Sequence, residues 1–225
     1  MRDPRRVYGL ALLAVILLLT ATGAVPAIRL HRSAPAAATA GAALTAQGRE
    51  ATFTFGPEVA PLDRQAILTA VAAARPEARR LIDLVDGLVT VHVGPTGASA
   101  VGLTSAGPKG YVVTVDLARV SQRYAQRGID RVVLHELGHV IDFALVPDDL
   151  LARLDASVPR GWGCEAGKLG ACAAPEERFA ETFAKWATGD IGADLYIGYK
   201  VPPPSVSLET WGRPLTRLAG AVSGP

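Results

Sequence analysis

The chain is short of cysteine, histidine and net charge, and each shortage narrows the class of protein. Its 225 residues include two cysteines and four histidines, and the formal net charge is +2. So small a charge argues against a nucleic-acid-binding protein, because such proteins carry a strongly basic surface. The two cysteines are not spaced as C-x2-C, which argues against a metal site built from thiolates. No internal repeat of the kind found in solenoids is visible.

The N-terminus has the composition of a targeting segment. Residues 1–6 form a basic flank with three arginines, and the 22 residues of 7–28 carry no charge. An uncharged stretch of this length can span a bilayer as a helix, and the basic flank favours a cytoplasmic N-terminus. The alternative is a signal sequence that is cleaved near Ala24 or Ala27. Both alternatives place the rest of the chain outside the cytoplasm, either anchored in the cell membrane or secreted.

The sequence after this segment divides into a linker and a folded domain. Residues 29–48 are rich in alanine, contain one proline and show no periodicity, which is typical of a linker. Residues 49–225 form the predicted domain and contain both cysteines, Cys164 and Cys172. In an exported domain, an even number of cysteines at short spacing favours a disulfide. Closing so short a loop stabilises the fold by about 2–3 kcal/mol in the chain-entropy picture.

Residues 135–139, which read H-E-L-G-H, form the most informative pattern in the chain. In a helix, residues four apart lie on one face, so His135 and His139 can bind one metal ion with Glu136 beside it. This set suits a zinc ion that activates water and a carboxylate that accepts the proton. Apolar residues on both sides predict a buried helix over about residues 128–144. We therefore predict Zn²⁺ as the cofactor.

Two histidines do not complete a catalytic zinc site, which usually has three protein ligands. The extended motif with a third histidine is excluded, because Leu145 stands at that position and no histidine follows the motif. The other source of a ligand is a carboxylate. Asp142 lies on the same helix face as the histidines, and a second helix, predicted over residues 175–188, carries Glu176 and Glu177.

Glu177 is the preferred third ligand. It lies one turn before Glu181, while the opposite side of the second predicted helix is apolar. A carboxylate such as Glu181 on a mostly apolar helix needs a partner, because burying an unpaired charge is costly. Asp142 and Glu176 stay open as alternatives for the third ligand.

The two helices together resemble a known family. H-E-x-x-H followed by a helix with two glutamates four residues apart is the gluzincin pattern of thermolysin-like zinc metallopeptidases. H-E-L-G-H-V-I-D at 135–142 and E-R-F-A-E at 177–181 look most like the catalytic domain of anthrax lethal factor and its relatives. The resemblance covers roughly residues 132–187. It implies an α+β, zincin-like fold for residues 49–225: a small mixed sheet, the H-E-x-x-H helix and a second helix with a glutamate ligand, behind an N-terminal transmembrane segment.

The resemblance also implies a role for each residue of the site. It implies three zinc ligands, one general base, and two carboxylates that accept hydrogen bonds from the ligating imidazoles. The implied zinc ligands are His135, His139 and Glu177, and the implied general base is Glu136. The implied acceptors of the hydrogen bonds are Glu181 and Asp142. The reaction it implies is hydrolysis of a peptide bond in a peptide or protein substrate, by a metal-activated water with Glu136 as base.

One part of the family pattern is missing. The lethal-factor relatives place a tyrosine a few residues before the ligand glutamate, where it donates a hydrogen bond to the developing oxyanion. Residues 168–172 contain no tyrosine. Tyr196 and Tyr199, which lie further along the chain, are the candidates to replace it. The alternative function follows from this departure: a catalytically inactive, zinc-stabilised binding module on the same fold.

Further elements are predicted around the two motif helices. Strands are expected at residues 51–55, 88–93 and 111–116, and helices at 62–85, with a break at Pro76, and at 148–156. His92 is expected on the polar face of its strand rather than on a metal. Residues 94–110 have the composition of a glycine-rich surface loop without the G-K-[ST] ending of a phosphate-binding loop. By analogy of fold, a peptide substrate is expected along 111–116 as an edge strand. The C-terminal remainder is expected to be irregular.

Overall fold

The computed structural model describes residues 52–97, 100–160, 173–195, 197 and 200–222. These residues form a mixed α+β fold with a four-stranded sheet and six helices, which confirms the predicted class. The strands are Thr54–Phe55 (β1), Val89–Val93 (β2), Gly102–Gly107 (β3) and Gly110–Val115 (β4). The helices are Pro61–Ala73 (α1), Pro76–Asp83 (α2), Leu117–Leu145 (α3), Asp148–Asp155 (α4), Pro175–Thr188 (α5) and Leu208–Val222 (α6).

Several of the predictions fall outside the described residues and stay predictions. These are the anchor or signal sequence at 7–28, the linker at 29–48, and the disulfide between Cys164 and Cys172. Within the described part of the chain, no helix combines the length and the apolar character that crossing a bilayer requires.

The sheet has the order β1-β2-β4-β3, and the strand direction reverses at the edge formed by β3. β1 is parallel to β2 and β2 to β4, whereas β3 is antiparallel to β4 and forms the edge. The prediction of a loop at 94–110 was therefore partly wrong, because β3 lies within those residues. The expectation that 111–116 is an edge strand was also wrong, because β4 is flanked on both sides. The β3–β4 hairpin closes through Gly110, whose φ of +144° is accessible to glycine.

Helix α3 is longer than the motif helix predicted over 128–144. It begins at Leu117, after Asp116 caps it by accepting a hydrogen bond from Arg119 N at 3.1 Å. Ala125 interrupts it with φ 49° and ψ −145°, so the chain changes direction before the motif. The second part packs against α1, α5 and strands β3 and β4. This central position explains why the motif helix is apolar on most sides.

Helix α5 has the bounds that the sequence predicted. Pro175 starts it at the first helical position, where a missing N–H costs nothing, and Gly189 ends it with φ +70°. The break between α1 and α2 at Pro76 and the short helix α4 are likewise confirmed. Helices α3 and α5 pack against each other and carry all residues of the H-E-x-x-H and E-R-F-A-E patterns.

Helix α6 was not expected, because the C-terminal remainder was predicted to be irregular. Three residues at spacing four, Trp211, Leu215 and Ala219, are buried along one of its faces. Trp211 packs against Phe179 and Trp186 of α5, with ring centroids 5.8 and 6.5 Å apart. Prolines before and inside the segment hid this amphipathic pattern. Its packing against α5 fixes the helix that supplies Glu177.

Candidate metal centre

Helix α3 presents a row of functional side chains at a spacing of four residues. Arg127, Arg131, His135 and His139 follow one another along the face that meets α5 and the loop after it. The two helices approach closely where the motif has its glycine. A methyl group at that glycine would lie 3.0 Å from the Cα of an alanine in α5. The absence of a side chain there lets the glutamates of α5 reach the histidines.

The three predicted ligands converge on one point. Glu177 Oε2 lies 3.2 Å from His135 Nε2 and 3.5 Å from His139 Nε2. The ligand atoms of all three residues lie within 4.8 Å of one another, so the group can hold a metal ion. Asp142 and Glu176, the alternatives for the third ligand, are not part of this group.

The spacing of these donor atoms fits a small tetrahedral cation. For metal–ligand bonds of about 2.0–2.2 Å, neighbouring donors at the corners of a tetrahedron lie about 3.4 Å apart. The two separations from Glu177 Oε2, 3.2 and 3.5 Å, bracket that value. Two imidazoles and one carboxylate also form a donor set that zinc accepts. The residues present therefore fit the cofactor that the sequence predicted.

Glu181 occupies the position behind His135 that the sequence predicted for it. Its Oε2 lies 3.3 Å from His135 Nδ1, so a proton on that nitrogen leaves Nε2 free for a metal. Its Oε1 accepts a hydrogen bond from Arg131 Nη1 at 3.0 Å and lies 3.3 Å from Lys185 Nζ. Both cations have side chains less than 5% exposed. Glu181 thus joins a potential metal ligand to a buried charge network.

The charge network shifts the pKa of four side chains, those of His135, Glu177, Glu181 and Lys185. Burial lowers the pKa of His135, but its hydrogen bonds to Glu177 and Glu181 outweigh this effect and raise the pKa to about 10. Burial raises the pKa of Glu177 and of Glu181, but the contacts with His135 outweigh it and hold both below the ordinary value. Burial lowers the pKa of Lys185, although the Glu181 carboxylate opposes the change. In the metal-free protein, a protonated His135 therefore lies between the two carboxylates, and Arg131 and Lys185 add positive charge beside Glu181.

Glu136, the predicted general base, faces strand β3 rather than α5. It is 5% exposed, and its Oε2 accepts a hydrogen bond from Thr104 Oγ1 at 2.7 Å. A methyl group at Gly102 would lie 2.1 Å from Glu136 Oε1. The carboxylate therefore lies against the inner face of the edge strand, between a hydroxyl group and a glycine backbone.

The environment of His139 is largely aromatic. Its ring stacks on Phe143 at 5.9 Å, and Phe143 in turn stacks on Tyr111 at 6.3 Å. His139 Nδ1 is buried and has no hydrogen-bond partner among the described residues, so the bond that Asp142 was expected to accept is not present. Asp142 is buried in the same region, and its charge adds to burial in raising the pKa of Tyr111.

The remaining predicted residues lie away from this cluster or outside the described chain. His92 Nδ1 lies 2.6 Å from Glu58 Oε1 on the surface, in agreement with its predicted place on a polar strand face. Tyr196 and Tyr199, the candidate oxyanion donors, lie outside the described residues. Their roles stay predictions.

Sequence reasoning missed four residues that contact the site. These are Thr104, Gly102, Arg131 and Lys185. The first two lie in β3, whose small residues carry no strand pattern. For the two cations a signal existed, because Arg131 stands one turn before His135 and Lys185 one turn after Glu181 on predicted buried helices. Two charges on such faces require a buried carboxylate nearby.

The geometry of this site stands without support from relatives. No family model, curated protein or solved structure matches the chain.

Proposed function

We propose that this chain is an extracytoplasmic zinc peptidase of the gluzincin type, similar to the catalytic domain of the lethal-factor relatives. The observation that carries the proposal is the convergence of His135, His139 and Glu177, with the Glu136 carboxylate one residue from the first histidine. A purely structural metal site has no use for that carboxylate, since a closed set of ligands needs no base. The localisation follows from the targeting segment predicted at 7–28.

Each residue has a distinct task in the proposed reaction. His135, His139 and Glu177 hold the zinc ion, and Glu181 fixes the tautomer and orientation of His135. A bound zinc ion supplies Lewis acidity, which polarises a carbonyl group and lowers the pKa of a water molecule. Glu136 accepts a proton as the water oxygen bonds to the carbonyl carbon.

The same carboxylate completes the reaction. As the carbon–nitrogen bond breaks, Glu136 passes its proton to the leaving nitrogen, so the products are a carboxylate and an amine. The enzyme forms no covalent bond to the substrate. We propose that Tyr196 or Tyr199 donates to the developing oxyanion, in place of the tyrosine missing from residues 168–172.

We propose strand β3 as the substrate-binding strand, in place of the strand at 111–116 expected from the sequence. β3 is an edge of the sheet, and Glu136 lies against its inner face. A peptide that pairs with β3 would extend the sheet and bring a carbonyl group beside the metal centre. Leu103, which lies between Gly102 and Thr104 and faces the other side of the sheet, is 53% exposed.

Bound zinc and cleavage of casein or a peptide library test the proposal, in the wild type and Glu136→Gln. We expect both proteins to bind about one zinc ion and the variant to lose about 10²–10⁴-fold in kcat, the usual contribution of a general base. Zinc without Glu136-dependent cleavage would favour the alternative, a zinc-stabilised binding module. No zinc in either protein would refute both functions.

A further inference from the structure

Two residues of the edge strand β3 confine the carboxylate of Glu136. Gly102 and Thr104 are two apart, so they face the same side of the sheet, toward α3. The Thr104 hydroxyl donates to Glu136 Oε2 at 2.7 Å. At Gly102 even a methyl group would collide with Glu136, at 2.1 Å from Oε1 and 2.8 Å from Cγ. One oxygen is hydrogen-bonded and the other is packed against the strand backbone.

We infer that Thr104 is a positioning residue for the general base and that Gly102 provides the space it needs. This inference rests on the proposed function, because it gives Glu136 its catalytic role. The contact joins the strand proposed to bind substrate to the group proposed to transfer the proton. The edge strand therefore has two tasks, to align the peptide and to orient the base.

The hydrogen bond is directed at the carboxylate rather than at the helix backbone. A threonine hydroxyl has one hydrogen. Thr104 Oγ1 lies 2.7 Å from the carboxylate oxygen but 3.2 Å from the Glu136 carbonyl oxygen, so the carboxylate is the better acceptor. A charged acceptor also gives the stronger bond.

The restraint matters because a glutamate side chain has three rotatable bonds. Ordering such a side chain during the reaction lowers the rate by roughly tenfold, and a misplaced catalytic group costs up to about a hundredfold. In this protein Thr104 and the glycine cradle have already ordered it. Loss of the hydroxyl should therefore lower kcat, while KM and metal binding are unchanged.

Each of the main test variants differs from the wild type by one small chemical group. Thr104→Val keeps the shape and removes the hydroxyl, and Thr104→Ser keeps the hydroxyl. Thr114→Val is the matched control: it makes the same change in β4, where Thr114 pairs with Leu103 and so faces the other side of the sheet. Gly102→Ala is a second test, since its methyl group must displace the carboxylate.

Two measurements are made on the full-length, zinc-loaded proteins. The first is kcat and KM for peptide cleavage. The second needs no substrate: the affinity for acetohydroxamic acid, a bidentate chelator that loses a proton on binding zinc and therefore needs an acceptor such as Glu136. We expect about a tenfold or larger loss of kcat and of acetohydroxamate affinity in Thr104→Val and Gly102→Ala. Thr104→Ser should restore both, and Thr114→Val should equal the wild type.

The outcomes separate this inference from the proposed function. If the wild type cleaves peptides but Thr104→Val matches Thr114→Val in kcat and inhibitor affinity, the inference is wrong and the peptidase stands. If no protein cleaves, the peptidase falls, and acetohydroxamate decides the inference: an affinity lowered in both Glu136→Gln and Thr104→Val supports it. An affinity that responds to Glu136→Gln alone, or to neither, refutes it. A loss in Thr104→Val that the serine variant does not restore also refutes it.

Discussion

Gly138 lies at a close contact between the two helices that carry the candidate metal ligands. It lies between the two histidines of the motif, at the point where α3 meets α5. A Cβ added there would lie 3.0 Å from Ala180 Cα, 3.3 Å from Ala180 O and 3.3 Å from Phe183 Cδ1. Two of these three atoms belong to the backbone and cannot rotate away. We therefore predict that Gly138→Ala separates the two helices.

The magnitude of the effect follows from these distances. Carbon atoms pack best about 3.5–4.0 Å apart, so relief of the contact requires α5 to move by about 0.5–1 Å. Overpacking of this kind costs about 1–3 kcal/mol, of which the better helix propensity of alanine recovers about 1 kcal/mol. A net loss of up to about 2 kcal/mol in the free energy of unfolding is expected.

Metal binding should suffer from the same movement. Glu177 lies on α5, with its Oε2 3.2 Å from His135 Nε2 and 3.5 Å from His139 Nε2. Metal–ligand bonds tolerate deviations of only about 0.2 Å, which is less than the required shift of the helix. We expect zinc affinity to fall by about 10–100-fold, as it does when the partners of metal ligands are disturbed.

Urea denaturation and zinc competition against a chelator measure the two effects. Gly220→Ala is the matched control, because it makes the same change in helix α6, where a Cβ would meet nothing within 4 Å. That control should gain up to about 1 kcal/mol from helix propensity and keep its zinc affinity. If Gly138→Ala behaves like Gly220→Ala in both assays, the close approach of α3 and α5 does not constrain the site.

Two further predictions concern protons and backbone strain. The pKa of His135 is raised to about 10, so zinc binding near pH 8 should release about one proton, and zinc affinity should fall about tenfold per pH unit from pH 9 to 7. In the metal-free protein, the stability from this shift is fully present below about pH 6.5 and is lost as pH rises through about 10, which urea unfolding with a chelator can follow. Zinc titration calorimetry in buffers of different ionisation enthalpy counts the protons, and a count of zero would contradict the reasoning. Ala125→Gly should raise the free energy of unfolding by about 1 kcal/mol, because φ 49° and ψ −145° suit glycine. No gain would show that Ala125 is unstrained.

The parts of the site that were predicted depend on local spacing along the chain. The two histidines share a face because they are four residues apart on a helix, and Glu181 follows Glu177 at the same spacing. The bounds of α5 were predictable because Pro175 and Gly189 are strong start and stop residues. Such patterns need no knowledge of which elements lie side by side.

The parts that were missed depend on pairing between distant segments. Strand β3 consists largely of small residues, and it is a strand because β4 supplies its hydrogen-bond partners. Its place at the sheet edge, and hence the contact between Thr104 and Glu136, follows from the sheet order. The start of α3 was missed because the helical stretch before the break at Ala125 buries only Leu117 and Val120, too few residues to show a helical pattern.

The convergence of donor atoms favours a metal ion over an ion-pair cluster at this site. Without a metal, a proton on His135 can bridge Glu177 and Glu181, and this pairing accounts for the raised pKa of the imidazole. It does not account for His139, whose Nε2 lies 3.5 Å from the Glu177 oxygen that already contacts His135, while its Nδ1 is buried without a described partner. An ion-pair cluster built for stability would spread its donors over several acceptors. Three donor atoms within 4.8 Å of one another, with both separations from Glu177 Oε2 near the tetrahedral value, are an arrangement that could hold a cation.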